Sequence, residues 1–199
     1  MLVLAGAFIA CAAVVTWSMA EWLASGQAPG VFLQQIGATE GTTSFDAWVS
    51  WDAEGIGPDT IVLGTIDIPE QRQRVHLTIR PNYDPQFPAS HIIEIIVPPV
   101  YPARSADAVS SLFVKGRRED AGRQLIGAVA NVAPDTFWMA LSASRQDREA
   151  NLALLATAGV FQLNMSFKDG ARGVLAFEKG TNGQRVFERA IGAWRHASR

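Results

Sequence analysis

The sequence predicts a mainly β domain, sandwich-like or α+β, with one middle helix and one C-terminal amphipathic helix, preceded by a single transmembrane helix. Three observations lead there: hairpins of alternating apolar residues, an apolar stripe at helical spacing near the C-terminus, and an uncharged apolar run at the N-terminus. About seven to nine strands are expected in one soluble domain.

Leu2–Leu23 is the first element. No charge occurs between Leu2 and Ala20, and about 20 apolar residues cross a bilayer as a helix. Trp17 and Trp22 suit the headgroup region, so residues 2–23 are predicted to contact the lipid bilayer. Ser18-Met19-Ala20 offers a competing reading, a secreted protein released by signal cleavage near Ala20. The first basic residue is Arg72, too distant for charge bias to orient the span.

Residues 24–43 are rich in Gly, Ala, Gln and Ser and read as a linker, with the β-rich domain occupying 44–199. Phe45, Ala47, Val49 and Trp51 then alternate with polar neighbours as one buried strand face. Thr60–Arg80 predicts a hairpin turning at Pro69-Glu70, with Val62, Gly64, Ile66 and Ile68 facing Val75, Leu77 and Ile79. The opposite face of its second arm carries Arg72, Arg74, His76 and Arg80, a candidate docking strip for an acidic protein partner.

After a proline-punctuated loop, His91–Val97 reads as an apolar strand. Glu94 within it needs a partner, because a buried carboxylate is costly alone. His91 and Glu94 mark the alternative reading, a small-ligand-binding protein or enzyme with its site near them, although a spacing of three sends them to opposite faces and disfavours a metal pair. Tyr101–Arg123 reads as a long connection or an irregular hairpin with a solvated basic cluster. Gln124–Val132 and Thr136–Ser142 are two further strands around Ala133-Pro134-Asp135.

Ser144, three residues before Asp147, predicts the N-cap of the middle helix, and Gly159 its end. Phe161, Leu163, Met165 and Phe167 open a second hairpin that turns at Asp169-Gly170 and returns through Arg172–Glu178. Thr181-x-x-Gln184 reads as a capping box, and Val186, Phe187, Ala190, Ile191 and Trp194 form the apolar face of the last helix.

A net charge of −2 gives no argument for nucleic acid. Residues 1–99 are acidic and 100–199 basic, so the two halves are expected to neutralise each other. Cys11 is the single cysteine, which excludes an intramolecular disulfide. No phosphate loop, nucleophile elbow, zincin pair or calcium loop occurs, and His76, His91 and His196 lack ligand spacing. Neither a cofactor, a metal nor catalysis is expected.

Pro88-Ala-Ser-His-Ile-Ile-Glu-Ile, Asp147-Arg-Glu-Ala-Asn-Leu and Gly173-Val-Leu-Ala-Phe-Glu-Lys-Gly, followed by Val-Phe-Glu-Arg-Ala, carry a resemblance. Over roughly Asp46 to Trp194 the chain resembles a family of uncharacterised bacterial proteins with one N-terminal span and a C-terminal β-rich domain. In that family a basic segment precedes the span and implies a domain outside the cytoplasm; this sequence has no such segment. The expected function is a non-catalytic interaction module of the bacterial cell envelope, single-pass in the inner membrane with a periplasmic domain.

Overall fold

The computed structural model describes residues 26–36, 41–100 and 105–196. The predicted span, Cys11 and the cleavage position at Ala20 lie outside the described residues. Among the described residues, no helix is long and apolar enough to cross a membrane.

The strands are β1 (Ala28–Gln35), β2 (Thr42–Glu54), β3 (Ile61–Ile68), β4 (Gln73–Pro81), β5 (Ala89–Ile96) and β6 (Ala106–Lys115). They continue as β7 (Arg123–Gln124), β8 (Gly127–Ala133), β9 (Thr136–Ser142), β10 (Val160–Phe167) and β11 (Arg172–Glu178). Two α-helices, α1 (Arg145–Thr157) and α2 (Gly180–His196), and two 3-10 turns, Gly57–Asp59 and Pro69–Gln71, complete the described elements. All eleven strands join one antiparallel sheet in the order β7-β6-β10-β11-β1-β2-β3-β4-β5-β9-β8. β6 and β8, close to its two ends, come back into contact, so the sheet curls almost onto itself.

The mainly β class with two helices is therefore correct, whereas the sandwich is replaced by one curled sheet. Strands of a sandwich and of a curled sheet share the same inward and outward alternation, so sequence period cannot separate them. Half of the predicted linker is strand: β1 lies mid-sheet between β11 and β2, with Ala28, Gly30, Phe32 and Gln34 buried. Three of these four inward residues are small or polar, with Phe32 the one large apolar side chain, so composition alone reads the segment as a tether. Of the two readings of 101–123, the irregular hairpin is the one that forms: β6, whose Val109, Leu112 and Val114 are core residues, pairs antiparallel with β7. The strand expected at Gln124–Val132 divides, β7 pairing with β6 and β8 with β9.

Both hairpins form as predicted. Ile66 stands opposite Val75, and Arg72 closes the turn in the left-handed region at φ 49°. Gly170, at φ 83°, supplies the equivalent bend between β10 and β11. The Ser144 hydroxyl accepts from the Asp147 amide at 3.1 Å, the predicted N-cap of α1. The predicted capping box does not form, because α2 starts at Gly180 and Gln184 donates instead to the Glu188 carboxylate.

Both helices lie at one end of the curl, α2 against β2, the turn before β3 and β3 itself, and α1 against α2 and β9. Trp51 organises this junction. Its ring meets Phe187 edge-on at 5.0 Å and approaches Phe161 at 5.5 Å and Phe177 at 6.0 Å. Its indole N–H donates to the Glu178 carbonyl at 3.1 Å, and its own carbonyl accepts from Asn182 at 2.7 Å. Gly64 and Gly183 let β3 and α2 close on the ring, since a Cβ at either would sit 2.8 Å or 2.5 Å from it.

Gly64→Ala and Gly183→Ala should each be destabilised by about 1–3 kcal/mol through overpacking on a rigid ring. Urea unfolding should show lower midpoints at unchanged slope. Gly192→Ala, whose Cβ meets nothing within 4 Å, should instead match or exceed the parent because alanine favours a helix interior.

Candidate functional site

The helix-covered end of the sheet holds a cavity of about 150 Å3 whose wall includes His91, Arg148, Trp194, Ser90, Asn82 and Tyr83, with Pro58 and Pro81 completing it. Chain turns that are distant in sequence build it. His91 lies at the start of β5 beside a register shift between Ala89 and His91. Arg148 comes from the first turn of α1, placed there by the Ser144 cap. Trp194 comes from the last turn of α2 and is anchored by its indole N–H donating to the Thr60 carbonyl at 2.8 Å.

The loop after β4 is tied down by its own side chains. Asn82 Nδ2 donates to the carbonyls of Asp84, Phe87 and Ala89, and the Asn82 amide donates to the Ser90 carbonyl at 3.0 Å. The Tyr83 hydroxyl donates to the Pro58 carbonyl at 2.8 Å, and the nearby Asp59 carboxylate joins burial in raising its pKa. Ser90 donates to the Leu141 carbonyl at 3.4 Å.

His91 is only 5% exposed, and neither of its ring nitrogens has a hydrogen-bond partner. Its ring centroid stands 4.9 Å from that of Trp194. Burial first, and then the Arg148 charge, lower the imidazole pKa from 6.5 to about 4. The ring is thus neutral at neutral pH, and Arg148 is the one charged side chain in the cavity wall apart from ionisable Tyr83. Among the described residues, no ion pair engages Arg148.

Glu94 does not join this cavity. It faces the other side of β5, where it accepts from the Trp138 indole N–H at 2.7 Å. The alternative site of His91 with Glu94 therefore divides, as strand alternation requires. Arg80 stacks its guanidinium over the same Trp138, 5.5 Å from the ring centre. Arg74 pairs with Asp67 across the β3–β4 ladder, His76 stands opposite Thr65 and Ile96, and Arg72 sits in the turn. Two of the four residues of the basic row, Arg74 and Arg80, are thus engaged with the domain's own side chains.

A second polar cluster surrounds the start of α2. An open cleft of about 760 Å3 there is lined by Arg117, Arg118 and Arg185 together with Glu119 and Glu178. Arg118 pairs with Glu178 at 2.7 Å. Buried Lys179 turns inward and donates to the carbonyls of Leu155 and Ala156, capping the end of α1, with its ammonium 4.3 Å from the centre of the Phe187 ring. Burial lowers its pKa to about 8.

The sequence singled out His91 and missed its neighbours. Arg148 read as helix body, Tyr83 and Asn82 as loop, and Trp194 as core, because nothing local announces that a helix start, a helix end and a loop will meet. Compared with protein-family models, curated proteins and solved structures, the chain matches none.

The depressed imidazole pKa carries a pH dependence of stability. The unfolded chain binds this proton near 6.5 and the folded domain only near 4, so stability is full above 6.5 and falls as pH drops through that window. His91→Leu should flatten the decline between these values in thermal or urea unfolding, while leaving the parent's stability above 6.5 intact or improved.

Proposed function

We propose that the β domain is a small-ligand-binding module held at a bacterial membrane by residues 2–23. The observation that carries the ligand reading is His91, a buried imidazole with two unbonded nitrogens beside a cavity that also holds a charged guanidinium. Buried polar groups without partners are rare and costly, and they cluster at sites whose role outweighs the stability loss. The apolar run of residues 2–23 and the resemblance to single-span proteins support the tether.

Docking of an acidic protein on Arg72, Arg74, His76 and Arg80 is the weaker reading, because Arg74 and Arg80 already pair and stack within the domain. The lack of a recognisable catalytic motif favours binding over turnover.

A small-molecule screen by thermal shift should find ligands that raise the melting temperature of the full-length protein. Ser90→Phe, which places a ring in the cavity, should abolish those shifts. Persistence of every shift in that variant would reject this cavity. For the tether, the protein should stay in the membrane pellet after carbonate washing and keep its N-terminal segment; a soluble chain beginning near Glu21 would establish cleavage instead.

A further inference from the structure

Three features of the cavity narrow the ligand. Its volume of about 150 Å3 matches the engineered cavity that holds benzene, so the ligand is a small one. Its charge is positive: Arg148 contributes a guanidinium and no carboxylate lines the wall. The remaining donors are few, because the Asn82 amide, Tyr83 hydroxyl and Ser90 hydroxyl already direct protons to backbone carbonyls. Arg148 and His91 are left to meet an incoming acceptor, while the Trp194 indole, Pro58 and Pro81 provide an apolar wall.

Building on the ligand-binding reading, we propose that this cavity takes a short-chain monocarboxylate, its carboxylate on the Arg148 guanidinium with His91 turning one N–H toward it, and its aliphatic chain against Trp194 and the prolines. A planar guanidinium matches a carboxylate in a way that a point charge does not. The apolar wall favours a carboxylate with a hydrocarbon tail over inorganic phosphate, which needs donors on all sides.

The arrangement links binding to protons. The ionisable groups facing His91 are Arg148 from α1 and Tyr83 from the β4–β5 loop, with Asp59 behind Tyr83; α2 presents the uncharged Trp194. A bound carboxylate opposes the Arg148 charge and raises the imidazole pKa above its free value of about 4. The added affinity is present below that free value and is lost as pH rises through the bound value. Proton uptake therefore accompanies propionate binding at pH values between the free and the bound imidazole pKa.

The test is calorimetric titration of the detergent-solubilised full-length protein with propionate, propionamide and inorganic phosphate, in buffers of different ionisation enthalpy. Propionate should bind saturably with proton uptake, and Arg148→Met should weaken it by at least about tenfold. Arg148→Lys should retain part of the binding, which separates lost charge from lost folding. His91→Gln should still bind propionate, without proton uptake. Equal binding of propionamide, stronger binding of phosphate, or unchanged propionate affinity in a folded Arg148→Met protein would each overturn the carboxylate assignment. If other molecules bind and Ser90→Phe blocks them, the cavity reading stands while this inference falls. If nothing binds, both fall.

Discussion

The seat of Trp51 is the constraint on which the helix-covered end of this domain depends. One indole joins β2 to β3 through the missing side chain of Gly64, to α2 through Gly183, and to β10 and β11 through Phe161 and Phe177. Aromatic side chains bury large areas and add geometry-specific contacts to that burial. Because the Trp51 N–H is paired to Glu178 and its carbonyl to Asn182, the ring is located by polar bonds as well as by packing. The position of α2 follows, and with it the position of Trp194 over His91.

Buried polar groups at this end are handled in three ways. Asn151 exchanges two hydrogen bonds with the backbone of Ile126, both at 2.8 Å, and so pins the segment between β7 and β8 to α1. Lys179 keeps its ammonium among two helix-end carbonyls and the face of Phe187. His91 has neither arrangement, and its neutrality lessens the burial cost without removing it. That contrast within one shell of packing distinguishes His91 from an ordinary core histidine.

Charge is balanced locally. The ion pairs among the described residues join Arg74 to Asp67, Arg118 to Glu178 and Arg145 to Glu149. Each lies within one half of the sequence, so these pairs do not carry the neutralisation expected between an acidic first half and a basic second half. Arg74 and Asp67 are antiparallel neighbours and Arg145 and Glu149 lie on adjacent helix turns, whereas Arg118 and Glu178 stand 60 residues apart; exposed pairs of this kind contribute only about 0–1 kcal/mol. One of them bears on the surface reading, because Asp67 engages Arg74 of the docking strip.

The sequence by itself determined which segments pair with their immediate neighbours. Val62 to Ile79 and Phe161 to Phe177 alternate strictly, Ser144 stands before a helical run, and Phe187 to Trp194 recur at helical spacing; local backbone geometry imposes those periods. The position of β1 between β2 and β11 was decided by tertiary structure, since its small and polar residues encode no strong period. So was the curl that returns β6 to β8, because sheet closure depends on twist accumulated over many strands. The cavity belongs to the same class. Its wall draws on residues from Pro58 to Trp194, and only long-range packing can bring an unremarkable arginine to a histidine that the sequence had already marked.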